Sequence, residues 1–233
     1  MFTSIASGST GNCYLVRSSR GGTGLIELGI PWKKILPAID FQASALDFAL
    51  VSHSHGDHSK TVKNALSAGV EVYLSLDTAS ALGVLEHHRT NIVYPDKPVD
   101  VGGWKWQVLP FSLEHDSPTL GFVISDGEDK LLFVPDTAYV KNRFQGITIA
   151  ALECNHISEI LINNVIDHGL PAVVARRIRR NHMSLENLLD MIKANDFSKC
   201  RQLWLIHLSD GNSCEETMKR KIQELTGIPT YFA

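Results

Sequence analysis

Short apolar runs alternate with amphipathic stretches along the whole chain, and this alternation predicts the fold class. Phe2–Ala6, Cys13–Val16, Leu25–Leu28, Phe48–Val51 and Val70–Leu74 are the right length for strands and sit among glycine, serine and aspartate punctuation. Helical spacing falls between them: over Pro31–Ile39, where proline suits a first turn, over Lys60–Ala68, and over a segment with Asp77 as N-cap that runs to about His87. The second half repeats the pattern, with strands expected at Trp104–Leu109, Gly121–Ser125, Lys130–Val134, Thr148–Glu153 and Gln202–Ile206, and a turn at Ser125–Asp129. Helices are expected at Ile157–Asp167, at Leu185–Asn195 behind a Ser184 cap, and from about Cys214 to Leu225. Strands then helices, twice over, predict an α/β fold of two mixed sheets packed face to face with helices outside. No linker, tandem repeat or low-complexity tract divides the 233 residues, so one domain over 1–233 is expected.

Composition narrows the class. No stretch approaches the ~18 consecutive apolar residues that span a bilayer, and the first residues lack the basic start and apolar core of a secretory signal; a cytoplasmic protein away from membranes is expected. Cys13, Cys154, Cys200 and Cys214 lie far apart with no Cys-x-x-Cys pair, which argues for reduced thiols over a zinc knuckle or disulfide framework. The four tryptophans, Trp32, Trp104, Trp106 and Trp204, are expected mostly in the core. A net charge of −3 advertises no general nucleic-acid surface. Arg176, Arg177, Arg179 and Arg180 are the local exception, four guanidinium groups just before His182.

The richest chemistry is His53-Ser54-His55-Gly56-Asp57-His58, which follows the expected strand Phe48–Val51 directly. Such a loop emerges at the carboxyl edge of a sheet, where α/β proteins place ligands. Imidazoles at 53 and 55 can converge on one cation while Asp57 and His58 turn toward a second. Mixed imidazole and carboxylate donors suit zinc, manganese or iron better than calcium or magnesium. His115, Asp136 and His207 each follow an expected strand, so one sheet edge can gather them all.

The His-x-His-x-Asp-His signature resembles that of the metallo-β-lactamase-fold hydrolases. Within that superfamily the chain is most similar to the small bacterial YycJ/WalJ-type branch, regarded as DNA-directed nucleases. Ser4-Ile5-Ala6-Ser7-Gly8-Ser9-Thr10-Gly11-Asn12 looks like the branch's Ser-Gly-Ser-x-Gly-Asn opening. Leu25-Ile26-Glu27-Leu28-Gly29 sits where the family shows an apolar-Asp-x-Gly strand end, with glutamate replacing the usual aspartate. Asp136-Thr137, Glu153-Cys154-Asn155-His156, His182-Met183-Ser184 and His207-Leu208-Ser209 follow in the family's order.

The resemblance implies a four-layer αββα sandwich and two divalent metal ions, zinc or manganese with iron a further candidate. It implies that His53, His55 and His115 hold the first ion, that Asp57, His58 and His207 hold the second, and that Asp136 bridges them. Of the two late histidines, His207 takes the metal because it directly ends a strand; His182 is left to contact substrate or protonate a leaving alkoxide. Asp57 and His182 are thus the catalytic side chains of this reading, with metal-bound hydroxide as nucleophile. Glu27 is the carboxylate expected to receive a metal-bound imidazole's other N–H.

The metal pair alone does not choose a substrate. Arginines and free backbone N–H groups favour a phosphodiester. Ser9 and Asn12 in the opening loop, Arg177 and Arg180, and Ser184, Ser209 and Asn212 after the late histidines are the candidate phosphate contacts. Hydrolysis of nucleic acid, most specifically exonucleolytic cleavage of DNA, is the expected activity. The alternatives are an ester, thioester or lactam hydrolase on the same metal centre, and a non-catalytic binding module of the same fold.

Overall fold

A computed structural model of the protein describes residues 2–233. Among them, one six-stranded sheet runs in sequence order from β1 (Phe2–Ala6) through β2 (Cys13–Arg17), β3 (Thr23–Ile26), β4 (Phe48–Leu50) and β5 (Val72–Leu74) to β6 (Thr90–Ile92). A seven-stranded sheet contains β7 (Val99–Val101), β8 (Trp106–Leu113), β9 (Thr119–Ser125), β10 (Lys130–Val134), β11 (Ile149–Glu153), β12 (Gln202–Ile206) and β13 (Thr230–Phe232), again with consecutive strands as neighbours. The helices are α1 (Trp32–Ile35), α2 (Gly56–Ser59), α3 (Val62–Ser67), α4 (Leu76–Leu82), α5 (Ser158–Asp167), α6 (Ala172–Asn181), α7 (Leu185–Lys193) and α8 (Glu215–Thr226).

Strand periodicity builds the four layers. Successive side chains point to opposite faces, so a strand buried on both sides feeds two cores at once. Ile26, Leu50, Phe133, Ala151 and Ile206 join the core between the sheets, together with Tyr14, Phe48 and Phe122. Their chain neighbours turn outward: Leu25 and Ala49 meet Ile35, Ala65 and Ala79 of the first helical layer, while Leu132, Leu152 and Leu205 meet Leu188, Met218 and Ile222 of the second. Three apolar clusters between four layers are the αββα sandwich.

Strand direction then positions the chemistry. β3 to β6 are mutually parallel, as are β10 to β13. β8 and β10 each pair antiparallel with β9, so they also share a direction. The ends of β3, β4, β8, β10, β11 and β12 therefore lie along common sheet edges, and the segments that follow them carry Glu27, the His53 loop, the His115 loop, Asp136, the Cys154 loop and His207.

Some expected boundaries move, for local reasons. The helix expected behind Asp77 is capped by Ser75, whose hydroxyl accepts the Thr78 N–H at 3.1 Å, and it stops at Leu82 because Gly83 turns left-handed. Trp104 belongs to a turn with Gly102 and Gly103 in which all three have positive φ; it is 83% exposed, and β8 starts only at Trp106. The short edge strands β6, β7 and β13 escape the pattern because they mix polar and partly exposed residues, whereas the equally short β4 and β5 are mostly buried and apolar. Helix α6 escapes because its apolar residues mostly bunch at Ala172–Ala175 and are largely exposed, so they mark no continuous buried face.

Candidate metal centre

The loop after β4 delivers its donors in a compact turn. His55 is the N-cap of α2, and Ser59 Oγ donates to the Ser54 and His55 carbonyls, tightening the turn around Asp57 and His58. The backbone beneath it is laced to two other loops: the Asn12 N–H donates to the Asp57 carbonyl at 2.8 Å and the Leu28 N–H to the His58 carbonyl at 2.8 Å. This approach explains Gly29, where an added Cβ would lie 1.7 Å from the Asp57 oxygen. The glycine two residues after Glu27 is thus the space the ligand loop needs.

Two cages result. Donor atoms of His53, His55 and His115 lie within 4.8 Å of one another, as do those of Asp57, His58, Asp136 and His207. In the first cage, His53 is fully buried, its Nδ1 shares a hydrogen bond with Ser52 Oγ at 2.8 Å, and its Nε2 is buried with no hydrogen-bond partner. Leaving such an atom unpaired costs roughly 1–3 kcal/mol. A cation among three imidazoles satisfies it, and that nitrogen chemistry suits a transition metal. His115 Nδ1 donates to the Asn181 carbonyl at 2.9 Å, which leaves its Nε2 for the cage, 3.4 Å from His55 Nδ1. Burial, seconded by His58, holds the His53 pKa well below the usual imidazole value. Burial also lowers His115, against the opposing pull of Asp136 and Asp116. Both are thus neutral and ready to ligate.

The second cage is built of opposite charges. Asp136 lies at its centre: Oδ1 is 3.4 Å from His58 Nε2 and 3.6 Å from His207 Nδ1, while Oδ2 is 3.9 Å from His115 Nε2. Asp57 Oδ2 is 3.4 Å from His207 Nε2 and 3.6 Å from His58 Nε2. Asp136 thus approaches donors of both cages. Burial alone would raise its pKa, but His58 and His207 outweigh that and hold it well below the usual carboxylate range. The converse applies to the imidazoles. Burial opposes charge on His207, yet Asp136 and the hydrogen bonds to Asp57 and Glu153 raise it to about 10. His58 is likewise raised well above its ordinary value, by Asp136 and Glu27 against burial.

Glu27 stands behind His58, its Oε1 3.4 Å from His58 Nδ1 and its Oε2 accepting the Ser52 N–H at 3.3 Å. Glu27 and His207 both carry positive φ, 65° and 55°. For non-glycine residues this conformation costs roughly 1–2 kcal/mol, and it recurs where a site demands a particular side-chain aim. Here it turns both side chains out of the strand direction and into the centre.

Two participants were not singled out as ligands or partners in the sequence. Glu153, which ends β11 as Ile206 ends β12, is fully buried; its Oε2 accepts the Thr137 and Met183 N–H groups at 2.9 and 3.0 Å. Its Oε1 lies 2.6 Å from His182 Nδ1 and 3.3 Å from His207 Nδ1. The strand-end logic that marks Asp136 and His207 would have marked it too. Asp136, Glu153, His182 and His207 form a further group able to hold a cation, so His182 borders the second cage, with its ring stacked on His207 at 5.3 Å. Burial lowers the His182 pKa, but Glu153 prevails and raises it. Asp116, adjacent to His115, places Oδ1 3.3 Å from His55 Nε2 and 3.2 Å from His115 Nε2, while Oδ2 receives Asn181 Nδ2 at 2.8 Å.

The candidate phosphate contacts separate. Asn12 is buried and its amide is committed, accepting from the Gly8 N–H and Tyr14 hydroxyl and donating toward Gly8, Asp57 and His58. Ser184 caps α7, accepting the Asn187 N–H. Asn212 is buried, taking Asn164 Nδ2 and giving its own to Ser209 Oγ. These three hold loops in place. Ser9 is exposed, Ser209 is half-buried, and Arg177 reaches Asp116 Oδ2 at 3.5 Å. Arg180 lines a groove between α5 and α6.

The fold is shared with solved proteins over its whole length. A metallo-β-lactamase-fold protein, YhfI from Bacillus subtilis, aligns with 100% of this chain and 95% of its own at 16% identity and a TM-score of 0.74. Igni18, a metallo hydrolase from the hyperthermophilic archaeon Ignicoccus hospitalis, covers the same shares at 11% identity and 0.70. Human tRNase Z, short form, does so at 12% and 0.64. No curated protein matches the sequence. Among the described residues no helix is long and apolar enough to cross a membrane. Residues 32–208, from α1 to just past His207, match the Beta-lactamase superfamily domain. With the family's sequence pattern and its fold found in the same chain, this protein belongs to the β-lactamase superfamily.

Proposed function

We propose that the protein is a dinuclear-metal-dependent phosphodiesterase of the YycJ/WalJ-type branch, a nuclease whose preferred substrate is DNA, cleaved from an end. The observation that carries this reading is the Glu153–His182 pair at the border of the second cage, with Oε1 and Nδ1 2.6 Å apart. His53, His55 and His115 would hold one cation and Asp57, His58, Asp136 and His207 the other, zinc or manganese with iron a further candidate. When bound, two such cations supply Lewis acidity at phosphoryl oxygens and an activated water.

The chain's own side chains do the rest. Water attacks phosphorus and the bond to the departing sugar oxygen breaks; that alkoxide needs a proton. His182 is positioned to give it: Glu153 engages Nδ1, which leaves Nε2 to donate. Glu153 is itself locked by two backbone N–H groups, so the imidazole plane is held before substrate arrives. Ser9, Ser209 and Arg177 remain as groups that can meet the phosphate on the rim. A thioester's leaving group needs no such acid, and a neutral lactam gains nothing from the arginine-bearing helix that leads to His182. The structural likeness to human tRNase Z shows that this fold accommodates a nuclease.

The test is a substrate panel with added Mn²⁺ or Zn²⁺: labelled single-stranded DNA and RNA, bis(p-nitrophenyl) phosphate, a thioester and nitrocefin. Hydrolysis of DNA, with end-labelled products shortening progressively, is expected. Turnover of the thioester or nitrocefin without any phosphodiester cleavage would refute the proposal.

A further inference from the structure

The four arginines of α6 do not act as one patch. Arg177 turns to Asp116, beside His55 and His115. Arg176, Arg179 and Arg180 line a separate groove of about 500 Å³ between α5 and α6, floored by Leu161, Ile162, Val165 and Ala175. No carboxylate lines it, and among the described residues these three arginines make no ion pair or hydrogen bond. Unpaired guanidinium groups around an apolar floor, in a chain of net charge −3, call for an anionic occupant with flat or apolar parts.

We infer that this groove docks the polynucleotide strand beyond the nucleotide being cleaved, an inference that rests on the phosphodiesterase reading. Continuity selects this occupant. α6 ends at Asn181, whose carbonyl receives His115 and whose amide holds Asp116, and the next residue is His182. Arg176 lies six residues before His182, about 9 Å along the helix axis. A strand leaving the centre therefore meets the guanidinium row within a short span. The last helical turn would otherwise repel phosphate through its exposed carbonyls, and Arg179 and Arg180 offset that charge. Guanidinium planes also stack on bases, and the aliphatic floor accepts a base face without reading its edge, so binding is sequence-tolerant.

The experiment compares wild type with Arg176→Gln/Arg179→Gln/Arg180→Gln, and with the corresponding triple lysine variant. Labelled DNA and RNA strands of increasing length are used, with KM and equilibrium anisotropy measured across a salt series. In wild type KM should fall as the strand lengthens. In the glutamine variant that dependence is lost, long-strand KM rises about tenfold, and the slope of log affinity against log salt flattens by about 2, the loss of three phosphate contacts. The lysine variant keeps most of the dependence. Unchanged length dependence and salt slope in the glutamine variant would overturn the inference. So would wild-type binding to phosphatidylserine vesicles that the glutamine variant loses while strand binding stays intact. If wild type cleaves no strand of any length, the phosphodiesterase reading fails instead, and anisotropy alone judges the groove: a flattened slope supports it and an unchanged slope overturns it.

Discussion

The two cages lie side by side and share a neighbour in Asp136, yet they are opposite in electrostatic construction. The first is three imidazoles, two of them depressed in pKa by burial. The second interleaves two carboxylates with two imidazoles that hold protons well above the ordinary range. A cation entering the first finds free lone pairs; one entering the second must displace protons. The difference teaches that the first is organised by desolvation and the second by ion pairing. The two should therefore fill, empty and fail under different conditions.

The most severe way to break the comparison is to remove the side chain both cages approach. Asp136→Asn should abolish phosphodiester cleavage, a loss beyond the ~10⁴-fold that removal of a general acid can reach. Metal content by elemental analysis should fall toward one ion per chain, with the His53 cage retaining it. Retention of two ions with normal turnover would dissolve the idea of a shared carboxylate.

His182→Gln comes next. Cleavage of DNA should slow by about 100-fold or more, within the usual range for a lost general acid. Bis(p-nitrophenyl) phosphate, whose leaving group needs no proton, should be far less affected. Equal losses on both substrates would reassign His182 to metal binding, the role its membership in the third donor group also permits.

Proton release sharpens the comparison directly. Calorimetry at pH 8 in buffers of different ionisation enthalpy should show that filling the second cage releases protons from His58 and His207, while filling the first releases almost none. Lowering the pH should empty the second cage before the first. Simultaneous loss at one pH would contradict the distinction.

The metal-free protein carries the same signature in its stability. His207 has a folded pKa raised to about 10, so its contribution is fully present below the unfolded imidazole value of roughly 6.5 and is lost as pH rises toward 10. Asp136 has a depressed folded pKa, so its contribution is present above roughly pH 4 and is lost as pH falls through the folded value. Melting after chelation should therefore be highest between about pH 4 and pH 6.5 and decline by several degrees on both sides, and saturating metal should remove most of the alkaline decline. A flat alkaline limb in the chelated protein would argue against the His207 ion pairs.

Glu27→Gln should act least. Removing the charge behind His58 should weaken the second cage by about 10-fold, the lower end for an outer partner of a metal ligand, and leave the first unchanged. Titration of each site with Zn²⁺ or Mn²⁺ measures it.

Legibility divides along a physical line. The His53–His58 loop, Asp136 and His207 could be found because each follows within a few residues a strand that announces itself by apolar runs, and the ends of neighbouring parallel strands share an edge. Glu153 obeys the same rule but sits within a segment of buried apolar neighbours, where one acid at the end looks like the strand's own polar limit. Asp116 gains its place only because α6 packs Asn181 against it. Asn12 and Ser184 carry the right atoms for phosphate binding, but hydrogen-bond commitment is a property of the folded neighbourhood, invisible along a chain.

Local rules in the amino-acid order were enough to decide the layers, the strand ends and the donor types, because periodicity and spacing act over a few residues. Only the folded chain decided which donors carry protons, which polar groups are already occupied, and that four neighbouring arginines part company. Those outcomes depend on burial and on charges brought together from distant positions, and through-space electrostatics takes no account of sequence separation.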